Sequence, residues 1–146
     1  MWYDFFMKWY FASRTKHQQK VAELSRFLVK AGEMVLSDWV YAEPLQPYEE
    51  NMDKALALSR EVVKSILNTN IFVLISDPEG TDMFAELGIA LAKNEVSHNA
   101  RIYIVGKHSK RSLMQLHPSI IHVPDIQNIF EKEGIKAEKF NFPNFA

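Results

Sequence analysis

Five consecutive apolar residues, Ile-Phe-Val-Leu-Ile at positions 71–75, limit the fold that this chain can adopt. A strand with one face in solvent alternates apolar and polar residues, whereas an unbroken β-branched and aromatic run is typical of a strand covered on both faces. We therefore predict that residues 71–75 form the central strand of a parallel sheet, with helices packed on each side.

Strand-like and helix-like patterns alternate along the rest of the chain. Strand patterns occupy residues 8–12, 33–40, 101–105 and 120–123, and helical patterns occupy residues 16–32, 51–67, 83–94 and 126–133. Alternation at this spacing is typical of a parallel sheet with right-handed crossovers. The predicted fold class is α/β: a single-domain, three-layer α/β/α structure with a five-stranded parallel sheet, flavodoxin-like or Rossmann-like.

The helix predicted at residues 51–67 begins at Asn51, a residue type that often caps helices through its side chain. Its apolar spacing predicts two adjoining stripes that face inward, namely Leu58, Val62 and Ile66, and Leu56, Ser59 and Val63.

Length and composition indicate one soluble globular domain over residues 1–146, with residues 1–7 as an N-terminal extension. The 146 residues leave no room for a second core, since domains most often have roughly 100–150 residues. Apolar residues make up 47% of the chain and charged residues 24%, as in folded soluble proteins.

Charge and residue types exclude several function classes. The formal net charge of -1, without a Lys/Arg stripe, argues against a binder of duplex nucleic acid and favours a small polar ligand. The chain has no cysteine, so we expect a cytoplasmic protein without disulfides or thiolate chemistry. No apolar run approaches the ~20 residues of a membrane helix, and we expect no membrane partner.

We also expect neither a metal nor another cofactor. The five histidines lack the paired spacing of metal ligands. The chain has no Walker-type loop and no Gly-rich dinucleotide fingerprint, which argues against ATP hydrolysis and NAD-dependent redox chemistry.

Three segments are expected to meet at one crevice. In open parallel sheets, ligands bind beyond the carboxyl ends of the strands. Ser13 and Arg14 follow the first strand, residues 39–51 follow the second, and residues 76–86 follow the third. The last segment includes Asp77, Gly80 and Thr81, which we expect to contact the substrate.

Glu86 is the strongest candidate for a catalytic residue. Gly80 permits a sharp turn, and Thr81 or Asp82 can cap the helix that follows, which places Glu86 in its opening turn or just beyond. Backbone dipoles at a helix start favour a negative charge, so we expect an ionised carboxylate able to attack an electron-poor carbon. Placement alone leaves a purely structural role open.

Residues 86–92 (Glu-Leu-Gly-Ile-Ala-Leu-Ala), after the turn at Gly80 and Thr81, resemble the active-site helix of the nucleoside 2-deoxyribosyltransferase superfamily. This superfamily includes deoxynucleoside 5′-monophosphate N-glycosidases. Residues 9–14 (Trp-Tyr-Phe-Ala-Ser-Arg) and 36–39 (Leu-Ser-Asp-Trp) resemble its first strand and the end of its second. The resemblance covers roughly residues 8–105.

The resemblance implies cleavage of an N-glycosidic bond. Glu86 would attack the anomeric carbon to give a glycosyl-enzyme intermediate, and Tyr10 would orient the carboxylate. The sugar, a 2-deoxyribosyl group in this family, would then pass to another base or to water, in a logic that parallels retaining glycosidases. The resemblance also implies a homodimer or higher homo-oligomer.

A second acidic group is expected to assist departure of the base. The family carries an Asp on the helix before the third strand, but here Glu61 lies about one position out of register. Asp77 and Asp82 are the other candidates. Simpler interpretations stay open: Asp82 as a helix cap and Glu61 as a solvated helix residue.

Ser13, Arg14 and Trp39 are predicted to bind substrate. A hydroxyl and a guanidinium at a strand-to-helix turn suit a 5′-phosphate. Trp39, with Tyr41 and Tyr48 nearby, could stack on a base or cover the site, although strand-end core packing explains it as well. The apolar segment 140–145 should pack on its own domain or on a partner subunit.

Two rival functions remain from the sequence alone. One is a same-fold enzyme that cleaves NAD at its nicotinamide bond with the same glutamate. The other is a non-catalytic nucleotide-binding module, which the displaced Glu61 keeps open.

Overall fold

The computed structural model describes residues 6–146, so the first five residues of the predicted N-terminal extension lie outside it. In chain order the elements are β1 (Lys8–Ala12), α1 (Gln18–Lys30), β2 (Met34–Val35), α2 (Met52–Leu67), β3 (Ile71–Ile75), α3 (Asp82–Ser97), β4 (Arg101–Val105), β5 (Ile120–Val123) and α4 (Ile126–Lys132). No helix within residues 6–146 is long and apolar enough to cross a membrane.

The five strands form one parallel sheet in the order β2-β1-β3-β4-β5. β3 is the central strand, and each of its residues is at most 1% exposed. The predicted bounds of β1, β3, β4 and β5 agree with the structure. The α/β fold class with a five-stranded parallel sheet is therefore confirmed.

Alternate residues of each strand enter two separate cores. Trp9, Phe11 and Val73 pack with α1 and α4 on one face of the sheet. Tyr10 and Phe72 point to the opposite face and pack with α2 and α3. This two-residue period is inherent to a strand and produces the predicted three layers.

The second strand is much shorter than the predicted residues 33–40. β2 ends at Val35, and a 3-10 helix covers Asp38–Tyr41. Beyond Val35, side chains replace the backbone hydrogen bonds that a longer β2 would make with β1. Ser37 Oγ accepts from the Phe11 amide at 3.2 Å, and Trp39 Nε1 donates to the Phe11 carbonyl at 2.8 Å. The chain can therefore leave the sheet at Val35 while the amide and carbonyl of Phe11 keep hydrogen-bond partners.

The second inward stripe predicted on α2 is wrong. Leu56 and Val63 are 50% and 43% exposed, and Ser59 is exposed as well. The residues of the first predicted stripe, Leu58, Val62 and Ile66, are the more buried ones, because α2 covers the sheet with only one narrow face.

The predicted caps also differ. The Asn51 side chain donates to the carbonyls of Leu45 and Pro47 in the preceding loop and does not cap α2. Thr81 occupies the N-cap position of α3 without a side-chain capping bond.

The C-terminal aromatic segment packs on its own domain. Phe140 stacks on Phe27 of α1 with ring centroids 4.3 Å apart, and Phe142 meets Phe130 of α4 edge-on at 5.3 Å. These rings extend the core on the α1–α4 face, as offset and edge-on aromatic pairs do elsewhere.

A buried carboxylate joins α4 to the sheet. Glu133 accepts from Arg101 through two hydrogen bonds of 2.6 and 2.7 Å and from the Tyr103 hydroxyl at 2.5 Å. Its side chain is only 6% exposed, so these donors replace lost solvent.

We predict that Glu133→Gln lowers the free energy of unfolding by about 1.5–3 kcal/mol, because an amide cannot accept both Arg101 hydrogen bonds and the Tyr103 bond. Chemical denaturation monitored by circular dichroism measures the effect. Glu131→Gln, an exposed position on α4, is the control and should change little. Equal stabilities for the two variants would contradict a structural role for this network.

Candidate active site

A glycine-dependent turn brings Glu86 to the carboxyl end of the sheet. Gly80 adopts φ +120°, which other residues rarely adopt, and a Cβ there would lie 2.6 Å from the terminal methyl of Met83, so another residue would be strained. α3 then starts at Asp82, which places Glu86 one turn into the helix. Asp82 and Glu86 are four residues apart and therefore lie on the same helix face.

Tyr10 holds Glu86 from the sheet. The Tyr10 hydroxyl donates to Glu86 Oε1 at 2.6 Å, a length typical of a bond to a charged acceptor. The Tyr10 ring is 1% exposed and stacks on Phe72 with centroids 5.8 Å apart. This packing fixes the hydroxyl, and with it the position of the carboxyl group.

Burial raises the pKa of Glu86 to about 7. The hydrogen bond from Tyr10 lowers this pKa and the charge of Asp82 raises it, but burial is the largest cause. Burial therefore opposes the ionisation of Glu86 that the helix start was expected to favour. Burial also raises the pKa of Tyr10, which keeps its hydroxyl a donor.

Glu86 lies in the wall of a cavity of about 410 Å³, a volume in the range of small-molecule sites. The cavity lies between the loop after β1, the loop after β2, and the facing sides of α2 and α3. Its lining residues are Ser13, Thr15, Trp39, Tyr48, Ala55, Leu58, Ser59, Val62, Val63, Asp82, Ala85, Glu86 and Ile89.

Trp39 forms a fixed wall of this cavity. Besides its hydrogen bond to the Phe11 carbonyl, its own carbonyl accepts from Gln18 at 3.1 Å. Tyr48, which follows in the same loop, also lines the cavity and is 40% exposed. An indole held by hydrogen bonds and a more exposed phenol ring are therefore available to a flat ligand.

Arg14 and Asp77 lie apart from the Glu86 cavity. Arg14 forms ion pairs with Asp77 at 3.4 Å and with Glu79 at 3.3 Å, and Lys16 contacts Asp77 at 2.9 Å. Burial alone would raise the pKa of Asp77, but hydrogen bonds from Lys16 and the Glu79 amide, with the nearby charges, lower it to about 2. This network stabilises the loop that precedes α3.

The other predicted residues differ in whether they line the Glu86 cavity. Ser13, Trp39 and Asp82 line the cavity with Glu86. Gly80 and Thr81 shape the turn into α3 and do not line it. Glu61 is exposed and borders only a small adjoining space next to Tyr10 and Trp39.

Sequence reasoning missed most of the α2 and α3 wall, namely Ala55, Leu58, Ser59, Val62, Val63, Ala85 and Ile89. The apolar stripes of α2 were the available signal, but they indicated core residues and not a ligand cavity.

A second cavity of about 490 Å³ lies beyond β3, β4 and β5 and includes Asp77, Lys107 and the C-terminal residues 143–146. It contains neither Glu86 nor Tyr10, so we place the chemistry in the smaller cavity. Within residues 6–146 no group of three or more His, Cys, Asp or Glu side chains is placed to hold a metal ion.

We predict that Tyr10→Phe raises the pKa of Glu86 by about one to two units. A hydrogen bond to a charged carboxylate contributes roughly 1.5–3 kcal/mol, and it favours the ionised form. Carbon-13 NMR titration of glutamate carboxyls gives the value. Tyr103→Phe, which removes a buried hydroxyl on the other face of the sheet, is the control; an unchanged Glu86 pKa in Tyr10→Phe would show that the bond does not stabilise the anion.

No family model matches the chain, and no curated protein sequence matches it. Among solved structures, the chain is similar to the CMP N-glycosidase BcmB of Clostridium botulinum, with a TM-score of 0.53 and 14% sequence identity. The similarity covers 88% of this chain and 99% of the other. The chain therefore shares the overall fold of that protein.

Proposed function

We propose that this chain cleaves the N-glycosidic bond of a (deoxy)nucleoside or nucleoside 5′-monophosphate, with Glu86 as nucleophile. The observation that carries the proposal is the half-buried Glu86 carboxyl, which accepts a 2.6 Å hydrogen bond from Tyr10 in the wall of a nucleoside-sized cavity. The motif around Glu86 and the fold shared with a CMP N-glycosidase support it.

In the first step, the ionised carboxylate attacks C1′ of the sugar while the bond to the base breaks. Oε1 is held by Tyr10, so Oε2 is the free oxygen for attack. The fixed Tyr10 hydroxyl orients the carboxylate and stabilises its charge before attack and after release. The products are a glycosyl ester of Glu86 and the released base, which takes the electron pair of the broken C1′–N bond.

Asp82 is the second carboxyl in this cavity and lies one turn before Glu86 on the same face of α3. We assign to it the proton transfers that accompany turnover, in particular activation of the water or second base that accepts the sugar. Glu61 does not line the cavity and is the weaker candidate.

Ser13 and Thr15 are the polar residues that a sugar or 5′-phosphate would meet at the end of β1. Arg14 is already paired with Asp77 and Glu79. A phosphate would therefore depend on hydroxyls and backbone amides, unless Arg14 exchanges its partners.

We predict that Glu86→Gln lowers base release by at least about a thousandfold, because an amide is not a nucleophile here. The assay supplies dNMPs, or deoxynucleosides with a free acceptor base, and follows base release by chromatography. Glu95→Gln, at an exposed side chain on the same helix, is the control and should retain activity. Nucleotide binding without base release from any substrate would contradict the proposal and favour a binding module.

The pH dependence follows from the raised pKa of Glu86. Only the ionised form attacks, so kcat/KM should rise about tenfold per pH unit below pH 7 and level off above it. A profile that is flat between pH 5 and pH 8 would contradict Glu86 as the nucleophile.

We also propose that two copies of the chain associate through α2. Met52, Leu56, Val63 and Leu67 form a stripe whose members are 43–53% exposed. The stripe is symmetric about the middle of α2, so antiparallel packing places Met52 of one copy beside Leu67 of the other. Asp53 and Lys64 flank the stripe on one side, and this packing brings opposite charges together.

The stripe is continuous with the active site, because Ser59 and Val63 also line the Glu86 cavity. A second copy on α2 would therefore cover part of the cavity rim.

We predict that Leu56→Glu converts a dimer into a monomer in size-exclusion chromatography with light scattering and raises KM. A charge in the centre of the apolar stripe must be desolvated on association. Val29→Glu is the control, since Val29 is 58% exposed on α1. A wild-type chain that is monomeric at about 100 µM would contradict this association.

A further inference from the structure

The Glu86 cavity carries negative charge without a matching positive side chain. Asp82 and Glu86 line it, and among residues 6–146 no Lys, Arg or His side chain does so. Arg14, which follows Ser13 in the same loop, is paired with Asp77 and Glu79. A ligand that enters this cavity meets two carboxyl groups and no cation.

The α2 wall of the cavity offers no acid to a departing base. Val62 and Leu58 face the cavity, whereas the neighbouring Glu61 is exposed and does not line it. Ser59 is the polar residue on this wall. Asp82, the remaining carboxyl, lies on α3 beside the nucleophile and is itself exposed.

This arrangement matters because a neutral base departs as an anion unless an acid protonates it. A base that is already positively charged at its ring nitrogens departs as a neutral molecule and needs no proton. Aromatic faces such as those of Trp39 and Tyr48 attract cations, and so do carboxylates.

We propose that the base subsite of this cavity is built for a positively charged base, as in an N-ribosylpyridinium or an N7-alkylated purine nucleoside. The proposal rests on the proposed function and names its substrate class. The lack of a cation in the cavity further favours a nucleoside over a substrate that carries phosphates.

The chemical step balances without an acid. Glu86 Oε2 forms a bond to C1′, the C1′–N bond breaks, and its electron pair neutralises the charge of the ring. Water then attacks C1′, the ester bond returns its electron pair to Glu86, and one proton leaves to solvent through Asp82. The sum is cationic nucleoside plus water to neutral base, sugar and a proton.

A cationic substrate would also activate its own nucleophile. Burial holds the pKa of Glu86 at about 7, and a positive ring next to the carboxyl lowers that pKa. The bound complex therefore contains more ionised Glu86 than the free protein does at the same pH. A neutral substrate gives no such shift.

The test separates binding from cleavage. Calorimetry compares 1-methylnicotinamide, a cation, with neutral nicotinamide, and both lack a glycosidic bond. We expect the cation to bind at least tenfold more tightly and Asp82→Asn to remove most of the preference. Asp125→Asn, in the other cavity, is the control and should leave the preference unchanged.

Cleavage is compared for 7-methylguanosine and guanosine at pH 6, where the methylated base keeps its charge, with Glu86→Gln as the background for each. We expect Glu86-dependent release from 7-methylguanosine at least a hundredfold faster. Equal or weaker binding of the cation, or guanosine cleaved as fast as its methylated form, would overturn the inference while leaving the proposed function intact.

Failure of every nucleoside and nucleotide to release its base would instead refute the proposed function. In that case only the binding comparison bears on this inference. A tenfold preference for the cation would support a cavity suited to positive charge, and no preference would overturn this inference in addition to the proposed function.

Discussion

The hydrogen bond between Tyr10 and Glu86 is the interaction on which the site depends. A carboxyl group that is partly removed from water needs a donor, and the donor here comes from a strand in the sheet core. Because β1 and α3 are rigid elements, the geometry of the bond is set by the fold and not by a loop. The same bond opposes the effect of burial on the carboxyl, and the balance leaves a pKa of about 7.

Much of the fold was accessible from sequence because its signals are local. The apolar run of β3 requires cover on both faces, and the alternating residues of β1 divide between two cores. The second strand was overestimated because its sequence is β-prone through Val40, whereas the competing bonds of Ser37 and Trp39 to Phe11 join residues more than 25 positions apart. No local pattern reveals such a competition.

The site was only partly predictable for the same reason. Glu86 and Tyr10 follow from motif resemblance, and Trp39 from its place after β2. Arg14 looked free to bind an anion, but its ion pair with Asp77 spans 63 residues of sequence. The apolar residues of α2 lie in the core, in the cavity wall or on the exposed surface. Helical spacing alone does not distinguish these three environments.

The early end of β2 has a consequence for the behaviour of the protein in concentrated solution. An edge strand with unpaired amides and carbonyls can form backbone hydrogen bonds with a strand of another molecule. Such pairing is a common route to edge-to-edge aggregation. Beyond Val35 the amide and carbonyl of Phe11 are already occupied by Ser37 and the Trp39 indole. The side chain that forms one wall of the cavity thus also occupies a backbone acceptor at the edge of the sheet, so a substitution chosen to widen the pocket at Trp39 would at the same time free the Phe11 carbonyl for a hydrogen bond from another molecule.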